Sequence, residues 1–152
     1  MAAVAPIVPL AVYGLAREVT KELYPVQAGT GNTLLGVIRH GVGFTLDHLR
    51  IQMDADQTGT VTLHVVKIPD TIDISAAVAD PAVAGSVSLG SVVLGTHWST
   101  NGQVQTAVSI DALTALQRYV AGSDRIVVIA AAADAWTTTG LTVVVVGRTT
   151  RA

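Results

Sequence analysis

From Phe44 to Ile68 the chain alternates apolar and polar residues with a period of two. Val61, Leu63 and Val65 fall on one side and Thr60, Thr62 and His64 on the other, which predicts a strand with one buried and one wet face. Leu49, Ile51 and Met53 alternate in the same way but out of phase with Phe44 and Leu46. An extra residue at Asp47 or His48, a β-bulge, restores the phase. Asp54-Ala-Asp-Gln-Thr-Gly59 supplies turn residues between the two arms, so the stretch reads as a hairpin.

The same reading extends outward. Leu34 to His40, Ser86 to Leu94, Gln103 to Ile110, Arg125 to Ala131 and Leu141 to Val146 are further strand-like runs. Asn101-Gly102 is a turn signal that makes a second hairpin of the two middle runs. Val143 to Val146, four valines in succession, suit a strand buried on both faces, central in its sheet or covered by a neighbour. Val12, Ala16, Val19 and Leu23 stand at helical spacing with Arg17, Glu18, Lys21 and Glu22 opposite, so a short amphipathic helix is predicted over 11–24, with a strand as the alternative. One or two helical turns capped by Asp111 are expected over 111–118, and the Ala- and Ser-rich stretch from Ser75 to Ser86 is a surface excursion. Strands punctuated by turns in this way predict an all-β fold, a single jelly-roll β-sandwich of about eight strands.

Residues 1–10 fit neither pattern. Pro6 and Pro9 exclude a regular helix, and no polar alternation marks a half-exposed strand, so an extended arm is expected. Burying Val4, Ile7, Val8 and Leu10 contributes about 1.5–3 kcal/mol each, against roughly 10–20 kcal/mol for ordering ten backbone residues. Those side chains alone do not order the arm; contacts with a partner or repetition in an oligomer make up the difference, and Tyr13 joins them as an arm contact.

Composition sharpens this picture. Half of the 152 residues are hydrophobic but only 13% are charged, against about 25% in an average soluble domain, so part of the surface is expected to be covered by neighbouring subunits. The net charge of −2 and the lack of any Lys/Arg cluster argue against nucleic acid. There is no cysteine, hence no disulfide and no thiolate metal site. The apolar N-terminus lacks a positive n-region and is too short to span a bilayer, so no membrane partner is expected and the default is a protein made in the cytoplasm.

Gly43-Phe-Thr-Leu-Asp-His-Leu-Arg-Ile with Gly59-Thr-Val-Thr-Leu-His-Val, then Val120-Ala-Gly-Ser-Asp-Arg-Ile-Val-Val-Ile129, then Gly140-Leu-Thr-Val-Val-Val, taken in order, resemble the jelly-roll proteins of tailed-phage virions, the head-decoration or cement family above all. The resemblance spans about residues 43–147. It implies trimers on an icosahedral shell, with the major capsid protein as partner and the capsid surface of the virion as location. It divides the chain into an arm and short helix (1–42), a jelly-roll domain (43–147) and a C-terminal tail (148–152), with shell attachment expected in the extension.

Motifs of chemistry are thin beside this. Asp54-x-Asp56-x-Thr58-Gly59 begins like a calcium loop, but its twelfth position is Val65, so it reads as a turn. His40, His48, His64 and His97 have no zinc spacing, and at best His48 and His64 face each other across the first hairpin. No serine sits in a nucleophile elbow, so the chain is read as no enzyme, with no cofactor. Trp98 and Trp136, both expected in loops beside Thr and Ser, are the candidate contacts for a saccharide or another protein surface. The leading expectation is a capsid decoration protein; the alternative is a tail- or fibre-associated module that binds a saccharide or another virion protein.

Overall fold

The computed structural model describes residues 17–24, 28–53, 55–58, 60–94 and 104–149. Eight strands carry the architecture: β1 (Arg17–Leu23), β3 (Thr33–Ile38), β4 (Phe44–Met53), β6 (Val61–Ile68), β7 (Val87–Leu94), β8 (Val104–Val108), β10 (Arg125–Ala131) and β12 (Thr142–Thr149). One sheet runs β1-β12-β4-β8 and the other β3-β10-β6-β7, every pairing antiparallel. The pairing is nested. Among these eight, the first strand pairs with the last, the second with the seventh, the third with the sixth and the fourth with the fifth. A long antiparallel ribbon hinged at β6–β7 is thus rolled so that its segments alternate between two sheets, which is the jelly roll, an all-β sandwich. A small third sheet, β2 (Ala28–Gly29), β11 (Trp136–Thr139) and β5 (Ala55–Thr58), closes one end, and β9 (Tyr119–Val120) pairs with the start of β4 at the other.

The phase change predicted in β4 is there. Val146 is opposite His48 and Gly147 opposite Leu46, so Asp47 is the extra residue and both Asp47 and His48 point outward while Phe44, Leu46, Leu49 and Ile51 are buried. Gly147 is needed at this bulge: a Cβ there would lie 2.5 Å from the Phe44 ring and 2.5 Å from the Thr45 carbonyl oxygen.

Neither predicted hairpin forms. β4 and β6 belong to different sheets, and so do β7 and β8. Leu49 and Ile51 on one side and Val61, Leu63 and Val65 on the other meet across the sandwich in one core, so the shared apolar phase records facing sheets rather than paired neighbours. The turn expected at 54–59 contains β5. The helix predicted over 11–24 is instead strand β1 over its described part. Glu18, Thr20 and Glu22 face out while Val19 is buried, a period of two, and all seven residues pair with β12. β1 and β3 are therefore strands of the two sheets, and residues 1–16 lie outside the described residues.

Among the described residues the helices are α1 (Ile74–Ala79) and α2 (Ala115–Arg118). Thr114, not Asp111, caps α2. Its hydroxyl accepts from the Gln117 N–H at 3.2 Å and the Gln117 side-chain oxygen accepts from the Thr114 N–H at 2.8 Å. α1 lies in the predicted excursion and covers the outer face of the second sheet, forming a second apolar cluster of Val66, Ile68, Ala77, Val127 and Ile129. Hence β10 is buried on both faces: Ile126, Val128 and Ala130 toward the sandwich core, Val127 and Ile129 toward α1.

Candidate functional site

The excursion that carries α1 is held by a chain of polar contacts. Arg125, the first residue of β10, donates through Nη2 to the Pro69 carbonyl at 2.9 Å and to the Ile72 carbonyl. Asn32 Nδ2 donates to the carbonyls of Val78 (2.9 Å) and Ala79 (3.2 Å), satisfying the C-terminal end of α1. Beyond it the Asp80 carboxylate accepts from the Ala82 N–H at 3.0 Å, the Val83 N–H donates to the Asp80 carbonyl at 2.9 Å, and the Ser86 hydroxyl donates to the Pro81 carbonyl at 3.1 Å. These turns stand as a wall beside the outer face of β6, β7 and β10.

Between wall and sheet lies a groove of about 430 Å³ lined by His64, Val66, Asp80, Pro81, Ala82, Ser86, Ser88 and Ala131. The outward phase of β6 supplies His64 and Val66, that of β7 supplies Ser88, and Ala131 ends β10. Partial burial of the imidazole pushes the His64 pKa below its usual value, so the ring is neutral at pH 7. The groove gathers serine, histidine and aspartate side chains, but they are not joined to one another: the Asp80 carboxylate and the Ser86 hydroxyl bind the backbone of their own loop. Nucleophilic attack needs a serine bonded to its base, and the Ser86 hydroxyl is bonded to the Pro81 carbonyl instead.

At the opposite face of β6, Lys67 points inward at the end of the sandwich and is only 9% exposed. Its ammonium donates to the carbonyls of Leu116 (3.3 Å), Gln117 (3.0 Å) and Tyr119 (2.6 Å), tying α2 and β9 to the second sheet. Burial lowers its pKa and the Asp124 carboxylate opposes that shift. Asp124 itself closes the Ala121–Asp124 turn by accepting from the Ala121 N–H at 2.9 Å. Lys67 is thereby a structural tie.

Of the residues singled out from the sequence, Val4, Ile7, Val8, Leu10, Tyr13 and Trp98 lie outside the described residues. Trp136 does not sit in a loop. It is in β11, 1% exposed, with its ring against Gly29, and so offers no indole face to a ligand. His48 and His64 do not face each other; they project from the outer faces of different sheets. The groove residues were not anticipated as a site. The sequence marks the Ser75–Ser86 stretch as an excursion, but local pattern says nothing about an excursion folding back over a strand.

No protein-family model matches the sequence, and no curated protein does. Among solved structures the chain is similar to one from the empty head of turnip yellow mosaic virus, at 10% identity over 89% of this chain and 79% of that one, with a TM-score of 0.44. It is also similar to one from the capsid of Ralstonia phage GP4, at 15% identity over 92% of this chain and 87% of that one, with a TM-score of 0.41.

Proposed function

We propose that the chain is a non-enzymatic structural protein of a tailed-phage virion, a decoration or cement protein that binds the major capsid protein at the outer surface of the head and stabilises the shell. The observation that carries this reading is the combination of a jelly roll with an apolar, proline-interrupted segment attached to one of its edge strands. Val4, Ile7, Val8, Leu10 and Tyr13 then serve as the anchor, and the charge-poor composition is that of a protein covered by neighbours. Repetition over a shell compounds weak contacts, since each linked contact after the first is effectively intramolecular. Trimers fit the same reading. The saccharide-binding alternative loses one of its two indoles with the burial of Trp136.

The test is solution mass and binding to empty capsid shells, measured for the full chain and for a version lacking residues 1–16. That truncation spares β1, whose loss would expose the long edge of β12. A folded truncated protein that no longer binds shells supports the reading. Undiminished binding refutes the anchor, and no binding by the full chain refutes the cement function.

A further inference from the structure

The groove beside α1 has a composition that selects its occupant, separately from the N-terminal anchor. Its walls are aliphatic: Val66, Pro81, Ala82 and Ala131. Its polar groups are the Ser86 and Ser88 hydroxyls, the His64 imidazole and one formal charge, the Asp80 carboxylate. Among the described residues no lysine or arginine lines it, so a phosphate, sulfate or carboxylate would meet only the like charge of Asp80. Nor, among the described residues, does an aromatic ring line it, so a sugar would find no platform to stack on there. A neutral imidazole accepts a hydrogen bond without repelling a cation.

We propose that this groove receives a lysine side chain from a partner polypeptide, its aliphatic stem along Pro81 and Ala131 and its ammonium between Asp80, Ser88 and His64. Charge complementarity names the head group and the apolar walls name the stem, because lysine is the side chain that joins four methylenes to a cation. The volume of about 430 Å³ exceeds one side chain and leaves room for the flanking backbone. Wherever the chain resides, this makes the outer face of the second sheet a docking surface.

The probe is Nα-acetyl-lysine N-methylamide, titrated into the ¹⁵N-labelled full chain and followed by amide chemical shifts. Nα-acetyl-norleucine N-methylamide and glucose are run beside it. Saturable shifts confined to His64, Val66, Ser88 and Ala131, with a dissociation constant on the order of 1 mM, are expected for the lysine probe alone. Asp80→Asn keeps an oxygen for the Ala82 N–H and removes the charge, and should weaken binding about tenfold. Ala131→Leu, which fills the groove and keeps the charge, should abolish it; spectra of both variants report that the fold is intact. Equal binding of the norleucine probe, or unchanged affinity in Asp80→Asn, would overturn the role of charge. Binding of glucose instead of lysine, or no saturable shift with any probe, would overturn the proposal.

Discussion

Replacing Lys67 by Met tests whether a buried cation holds the end of the sandwich together. The change keeps an unbranched stem and deletes the ammonium, leaving the Leu116, Gln117 and Tyr119 carbonyls without their shared donor. A hydrogen bond to a charged group contributes about 1.5–3 kcal/mol, but three bonds to one ammonium are not additive, and two factors lower the sum. The three bonds are only partly buried, so water competes for the carbonyls once the ammonium is gone, and removing the ammonium also removes its desolvation cost, the cost that lowers its pKa. A net loss of about 2 kcal/mol follows, or roughly 4–8 °C in Tm for a chain of this size. Urea unfolding should show a lower midpoint at unchanged slope. The pH dependence carries a second signature. The folded-state pKa lies below the unfolded one, so between the two the unfolded chain binds more protons and Lys67 contributes stability that increases as pH climbs through that window. Lys67→Met should lack this rise. A variant as stable as the parent at neutral pH would show that the three carbonyl bonds do not outweigh desolvation, and would refute the tie.

Three further substitutions probe the packing. Gly147→Ala should cost about 2 kcal/mol by thermal unfolding, because the new methyl meets the Thr45 carbonyl oxygen, which cannot move without opening the β4–β12 ladder; a neutral result would mean that the bulge relaxes freely. Val145→Asp should abolish soluble folded protein, whereas Val144→Asp, on the outer face between the register positions of Glu22 and Arg50, should remain folded with a loss of about 3 kcal/mol; identical outcomes in a solubility and circular-dichroism comparison would show that both faces of β12 are equally dry. For His64 the folded pKa is depressed, so on acidification through the usual 6.5 the unfolded chain takes its proton first and stability falls. His64→Gln should flatten that part of the stability–pH curve, and parallel curves for variant and parent between about pH 7 and pH 5 would count against it.

The elements legible in the sequence were those whose signal is local. β10 and β12 are close to their predicted spans, and the phase slip between Leu46 and Leu49 located the bulge at Asp47 or His48, because a period-two pattern cannot absorb one residue in any other way; the β4–β12 register then selects Asp47. β1 was misread for an equally local reason. Val19 and Leu23 are four residues apart, a spacing that serves one helical face and also alternate positions of a strand, and only the seven ladder partners on β12 decide between them. Trp136 shows the same limit: threonines around it suggested a loop, while its partners, Gly29 and the strands closing the end of the sandwich, are far away in the chain.

Partnership was what the sequence concealed, and the nested pairing explains why. In a rolled ribbon only the hinge strands, β6 and β7, are at once chain neighbours among the eight and sheet neighbours; every other pair joins residues separated by other strands. Successive strands with matching apolar phase, such as β4 and β6, are therefore as well suited to face each other across a core as to form a hairpin, and period alone cannot distinguish the two. The valine runs make the same point energetically. β10 reaches burial on both faces because α1 covers it. β12 lies centrally between β1 and β4, and Val144 and Val146 are buried although neither belongs to either apolar cluster. Two segments alike in composition thus have different neighbours: one is closed by an apolar helix, the other flanked on its outer face by the register positions of Glu22, Thr20, Arg50 and His48. It is the second sheet, closed by α1, that carries the groove, because a helix laid on a sheet ends somewhere, and the turns after Ala79 that finish it form the wall the groove requires.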